Sequence, residues 1–87
     1  ILQPMTTTAD RTATRILAKS VWFDETRIYV ELADGRVVGA PIAWFPHLQR
    51  GTPEQRADYE LLDDGGWIHW ESLDEDLSAE GMLTFSR

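Results

Sequence analysis

Two histidines and one acidic run are the residues with the chemistry for a metal or acid–base site. His47 and His69 are the chain's only histidines, and Asp74, Glu75 and Asp76 stand together in "DEDLSAE". Imidazole nitrogen and carboxylate oxygen together suit a divalent cation. The spacing contains no compact ligand motif, such as two histidines one helical turn apart. The acidic run also lacks the pattern of an EF-hand calcium loop with its central glycine. Paired carboxylates do acid–base work only in a cleft that separates their pKa values, and 87 residues leave little room for a deep one. Ser20, Ser72 and Ser78 have no adjacent histidine–acid pattern, and the chain has no glycine-rich phosphate loop. The expectation is a protein that is not an enzyme, with no cofactor and no metal. His47 then lines a helix, His69 sits on a strand face, and the acidic run is a solvated edge.

The aromatic residues carry more information. Trp44, Phe45, Tyr59, Trp67 and Trp70 can fill the core of a small domain, and tryptophan and tyrosine are also enriched at interface hot spots. A short hairpin cannot bury both of its faces, so Trp67 or Trp22 is expected to reach solvent. An exposed tryptophan beside carboxylates suits a basic partner. Trp44, Trp67, His69, Asp74, Glu75 and Asp76 are therefore the candidate partner-binding residues. Two alternatives belong to other classes. One is a small-ligand or metal-binding domain, which needs an apolar pocket with converging polar groups. The other is self-association through an unpaired outer strand.

Composition narrows the field. The formal net charge is −7, and the eight basic residues are scattered singly, so direct nucleic-acid binding is not expected. An acidic surface can meet a basic protein. With no cysteine there is neither a disulfide framework nor a thiolate zinc site, which fits a reducing cytoplasm. No apolar run reaches membrane-span length. A domain of this size buries only about 60% of the surface its unfolded chain exposes, so each large apolar residue matters to stability.

The elements that must position these residues follow from periodicity. From Arg27 the pattern alternates, with Ile28, Val30 and Leu32 on one face and Arg27, Tyr29 and Glu31 on the other, as in a half-buried strand. "SVWF" precedes it as a strand, with Asp24–Thr26 as the connection. Asp34-Gly35 predicts a two-residue type I′ turn, which pairs Leu32 with Val37 and Val30 with Gly39. Arg36 to Ala40 then returns, and Pro41 ends the strand. The first half is thus a three-stranded antiparallel meander. Ile42 to Arg50 predicts a short helix, stopped by Gly51 as a C′ residue. Thr52-Pro53-Glu54-Gln55 predicts a capping box opening a second helix over about Pro53–Asp58. These two helices form an αα-hairpin without the basic recognition helix of major-groove readers.

"YELLDDGGWIHW" predicts a second β-hairpin with Ile68 and Trp70 facing the core and Trp67 and His69 facing away. Leu73 and Leu77 anchor the C-terminal segment. Ser78 is the expected N-cap of a C-terminal helical turn over Ala79–Leu83. Residues 1–15 are expected to be a mobile tail, with 1–4 extraneous to a start at Met5. Residues 16–87 make a single small α+β domain.

Several of these segments, in this order and spacing, resemble the bacterial domain of unknown function 2442 family. The matching residues are Asp34-Gly35-Arg36, Pro41, Trp44-Phe45-Pro46, Leu48, Thr52, Glu54-Gln55-Arg56, Ile68-His69-Trp70 and Leu73 through Leu83. The resemblance covers roughly residues 19–83. Glu71 stands where the family often has proline, and Gly39-Ala40 where larger β-formers are usual. The resemblance implies the acidic member of a bacterial two-gene, toxin–antitoxin-like pair. The implied partner is a small protein of the domain of unknown function 4160 type. It transfers no catalytic residue.

Overall fold

The computed structural model describes residues 15–85. The expected tail, with its start at Met5, lies outside the described residues apart from Arg15. Strands β1 (Ala18–Phe23), β2 (Arg27–Leu32) and β3 (Val37–Pro41) form an antiparallel sheet in the order β1-β2-β3. The alternation in β2 places Ile28, Val30 and Leu32 in the core, and Val38 and Ala40 oppose Val30 and Ile28 on that face. Pro41 is the last residue of β3, an outer strand of the sheet.

The first hairpin turn differs from expectation. Glu31 pairs with Val37 and Val30 with Val38, one residue out of the predicted register. Leu32 N–H donates to Arg36 O at 2.7 Å, and Gly35 N–H donates to Leu32 O at 2.9 Å. The loop is therefore three residues, Ala33 to Gly35. Gly35 has φ +96°, while Asp34 is not among the residues with positive φ. A type I turn followed by a left-handed glycine fits this pattern, whereas type I′ needs two left-handed residues. The Asp34 carboxylate instead accepts from the Arg36 N–H at 3.0 Å and the Arg36 Nε at 2.9 Å.

The segment expected as one helix is two pieces. A 3-10 turn spans Ile42–Trp44 and helix α1 spans Pro46–Gln49. Between them Phe45 has φ −125° and ψ 87°. A residue before proline is pushed out of the helical region by clash with the ring. Gly51 does not adopt a left-handed cap conformation. Its role is close approach: a Cβ there would stand 2.8 Å from Leu73 Cδ1. Helix α2 (Pro53–Ala57) begins as expected, with Gln55 N–H donating to Thr52 Oγ1 at 3.1 Å and Thr52 N–H to Gln55 Oε1 at 2.9 Å.

The second hairpin gains a strand. Strands β4 (Glu60–Leu62), β5 (Trp67–Trp70) and β6 (Glu75–Ser78) make a second antiparallel sheet in the order β4-β5-β6. The acidic run expected as a solvated edge is thus half a strand, held by pairing of Leu77 with Ile68 and Glu75 with Trp70. Helix α3 (Ala79–Phe85) follows directly, and Gly81 N–H donates to Ser78 Oγ at 2.9 Å. The expected N-cap is present, on a helix two residues longer than the expected turn.

The two sheets meet through Trp70, Gly65 and α3. Trp70 is fully buried, and its indole N–H donates to Arg56 O at 2.9 Å. Phe23 of β1 meets its ring edge-on at 6.4 Å, and Tyr59 meets it at 6.4 Å. Burial of one such side chain contributes about 1.5–3 kcal/mol. Gly65, at φ +103°, lies against β1 so closely that a Cβ would fall 2.3 Å from Ala18 O. Ala79 N–H donates to Gly66 O at 3.0 Å, seating α3 against the turn. Ala79 and Met82 then bury themselves where α3 packs on β2 and β3.

Candidate functional site

Pairing of β6 with β5 sets His69 directly opposite Asp76. Successive side chains on a strand alternate faces, so Trp67 and His69 share the face of β5 opposite the buried pair Ile68 and Trp70. His69 Nδ1 lies 2.5 Å from Asp76 Oδ1, and Nε2 lies 2.7 Å from Glu71 Oε1. Carboxylates accept and cannot donate when ionised. A ring holding one on each nitrogen is therefore the doubly protonated imidazolium. Hydrogen bonding to Glu71 and then to Asp76 pushes the His69 pKa up to about 9, against a smaller opposing effect of burial. With a carboxylate on each nitrogen, the ring is held as a cation.

Beside this clamp lies an apolar pair. Leu62 of β4 is the cross-strand partner of Trp67, and the two are 40% and 47% exposed. Leu62, Trp67, His69 and Asp76 line one shallow depression on the sheet. The face is thus an exposed apolar patch with a charged rim of His69, Asp76 and Glu71.

The other candidate residues lie elsewhere. Asp74 and Glu75 face His47, whose Nδ1 donates to Asp74 O at 2.9 Å and lies 3.3 Å from Glu75 Oε1. Burial raises the Glu75 pKa, and the nearby His47 works against it. Asp74 adopts φ +52° in the turn that leads into β6. Trp44 ends the 3-10 turn after β3, 53% exposed. The six residues therefore divide into a Trp67–His69–Asp76 face, the pair Asp74 and Glu75 in a buttress with His47, and Trp44 on a third element. His47 and His69 belong to separate clusters. Among the described residues, no group of three or more histidines, cysteines and acids is arranged to hold a metal ion.

Sequence reasoning missed Leu62 and Glu71. Both were findable: Glu71 is two positions past His69, just beyond the end of β5, and Leu62 opposes Trp67 across a four-residue turn. It also missed a concavity on the first sheet. A groove of about 640 Å³ runs between β1 and α2, lined by Val21, Trp22, Phe23, Pro53, Ala57 and Tyr59 among others. Its charged lining residues are Asp24, Glu25 and Arg56. Asp24 is held by the Thr26 N–H at 2.9 Å, the Tyr29 hydroxyl at 2.8 Å and the Arg27 N–H at 2.8 Å, which lower its pKa, while the bond to Asp24 raises that of Tyr29.

The comparisons with known proteins agree with this architecture. The chain belongs to the family described as protein of unknown function DUF2442, whose family model matches residues 18–87. Among solved structures it is similar to a protein of unknown function from Rhodospirillum rubrum ATCC 11170. That similarity has 29% sequence identity and a TM-score of 0.68, over 83% of this chain and 92% of the other. Among curated proteins none matches. No described helix is long and apolar enough to cross a membrane.

Proposed function

We propose that the protein is a non-enzymatic protein-binding module. In this reading it is the acidic member of a bacterial, cytoplasmic two-protein system, and it works by covering a surface of a small basic partner. The observation that carries the reading is the exposed Leu62–Trp67 pair set beside the His69–Asp76 clamp. An apolar centre with a charged rim is the anatomy of an interface hot spot. The fixed His69 cation is outnumbered by Asp76 and Glu71, so the rim presents net negative charge, in line with the formal charge of −7. The family resemblance points to a partner of the domain of unknown function 4160 type, in a toxin–antitoxin-like arrangement.

The test is affinity capture of the tagged protein from its host, followed by intact-complex mass measurement. A stoichiometric small basic protein, lost with Trp67→Ala but retained with a conservative change at Trp44, supports the reading. Recovery of the protein alone, or a complex indifferent to Trp67→Ala and Leu62→Ala, overturns it.

A further inference from the structure

The groove between β1 and α2 belongs to neither the Trp67 face nor the His47 buttress. We propose that it receives an extended segment of a partner polypeptide, apolar in alternate positions and basic between them, which pairs with the free edge of β1 at Phe23.

Backbone direction identifies the groups that would pair. Among the described residues β1 is an outer strand with β2 on one side only. Asp24 N–H donates back to Arg27 O at 3.1 Å, so the even residues of this end of β1 point towards β2. Odd residues then point away, as alternation in an antiparallel pair requires. Val21 agrees: its N–H leaves the sheet and donates to the Tyr59 hydroxyl at 3.1 Å. Tyr59 therefore blocks the edge at Val21. Two residues on, the Phe23 N–H and C=O point to the same side, beside the groove. An unpaired donor and acceptor on a sheet edge is the template for adding a strand.

The groove fits the side chains of such a segment. Its walls, Val21, Trp22, Phe23, Pro53 and Ala57, are apolar. Tyr59, having accepted from Val21, keeps its own hydroxyl hydrogen for a peptide carbonyl. Charge selects the sign of the partner. Asp24 and Glu25 line the groove where β1 meets the turn, and the hydrogen bonds to Asp24 keep it ionised. Arg56 also lines the groove, with its guanidinium engaged by Leu48 O at 2.8 Å and Gln49 O at 3.0 Å, so the two carboxylates outnumber it. A lysine or arginine next to the paired residue meets both carboxylates. A second copy of this chain brings its own excess negative charge to the same place and is disfavoured. This surface lies on the first sheet, so the inference stands apart from the reading of the Trp67 face.

The experiment uses the full chain, isotope-labelled for amide NMR, and an acetylated, amidated hexapeptide alternating lysine and valine. The expected result is a saturable shift of the Phe23 amide, slower hydrogen exchange there, and a shift of the Trp22 indole N–H resonance. Glu25→Lys, at an exposed turn position, should weaken binding about five-fold. The same peptide N-methylated at its pairing amides should not bind. Three results overturn the proposal. The first is an unchanged Phe23 amide at millimolar peptide, and the second is shifts confined to Leu62, Trp67 and His69. The third is Phe23 protection that appears without peptide and rises with protein concentration, which assigns the edge to a second copy.

Discussion

His69 and Asp76 face one another across β5 and β6, with Nδ1 2.5 Å from a carboxylate oxygen, while Glu71 holds the other ring nitrogen at 2.7 Å. Two neighbours of opposite charge stabilise the charged imidazole. NMR titration of the ring should therefore find its midpoint near 9 instead of near 6.5. A folded-state pKa above the unfolded value means that the protonated ring favours folding. The clamp's contribution is thus complete below about pH 6.5 and is lost as pH rises through about 9. Replacing Glu71 with Gln and Asp76 with Asn together should return the midpoint towards 6.5. A midpoint still near 9 in that double variant would mean that the carboxylates are not its cause.

In the proposed reading Trp67 serves the interface more than the fold. At 47% exposure and paired with Leu62, Trp67→Ala should cost about 1 kcal/mol of unfolding free energy. It should weaken the partner complex by about 2 kcal/mol or more, roughly thirty-fold. Urea unfolding and calorimetric titration separate the two effects. Equal loss in both would place Trp67 in the core of the fold.

Gly65 and Gly35 both have positive φ but are not equivalent. At Gly35 a Cβ meets nothing within 4 Å, so Gly35→Ala costs only backbone strain, about 1 kcal/mol. At Gly65 the Cβ would strike Ala18 O at 2.3 Å, a backbone atom that cannot step aside. Gly65→Ala must separate the second turn from β1 and should cost more than about 3 kcal/mol. Thermal unfolding of the two variants side by side checks the difference, and equal midpoints would show that the approach to Ala18 does not hold the sheets together.

Trp70 is the largest fully buried side chain. Trp70→Ala should cost about 3–5 kcal/mol, a large share of the roughly 5–15 kcal/mol that holds a small domain folded. Trp70→Phe keeps much of the volume but leaves Arg56 O without its indole donor, so a smaller loss is expected. Chemical denaturation followed by circular dichroism orders the two variants, and a Phe variant as damaged as Ala would make the hydrogen bond dominant over packing.

The capping box at Thr52 is a local device on a helix of one turn. Thr52→Ala should cost about 1 kcal/mol, and Thr52→Ser should restore most of it. The urea midpoint reports both, and an unaffected Ala variant would mean that α2 is held by Arg56 and tertiary packing alone.

Much of this was determined by the sequence because its causes are local. Alternation at Ile28, Val30 and Leu32 needs only the two-residue period of a strand, and the same period set Ile68 and Trp70 inward and Trp67 outward. Thr52 with Gln55 and Ser78 with Gly81 cap within three residues of themselves. The acidic and aromatic character of the surface is likewise composition.

Other features were decided only by the tertiary structure. "EDLS" lacks the residues that favour strands, and it became β6 because β5 offered an unpaired edge and a place for Leu77 opposite Ile68. That one pairing brought Asp76 to His69. The first hairpin's register turned on whether Asp34 took a left-handed conformation, and its bonds to Arg36 hold the alternative. The break at Phe45 was local and legible, since Pro46 follows it. The groove was not, because Tyr59 meets Val21 across 38 residues. A sequence sets which faces are apolar, but chain closure over such distances decides which of them meet and which stay open.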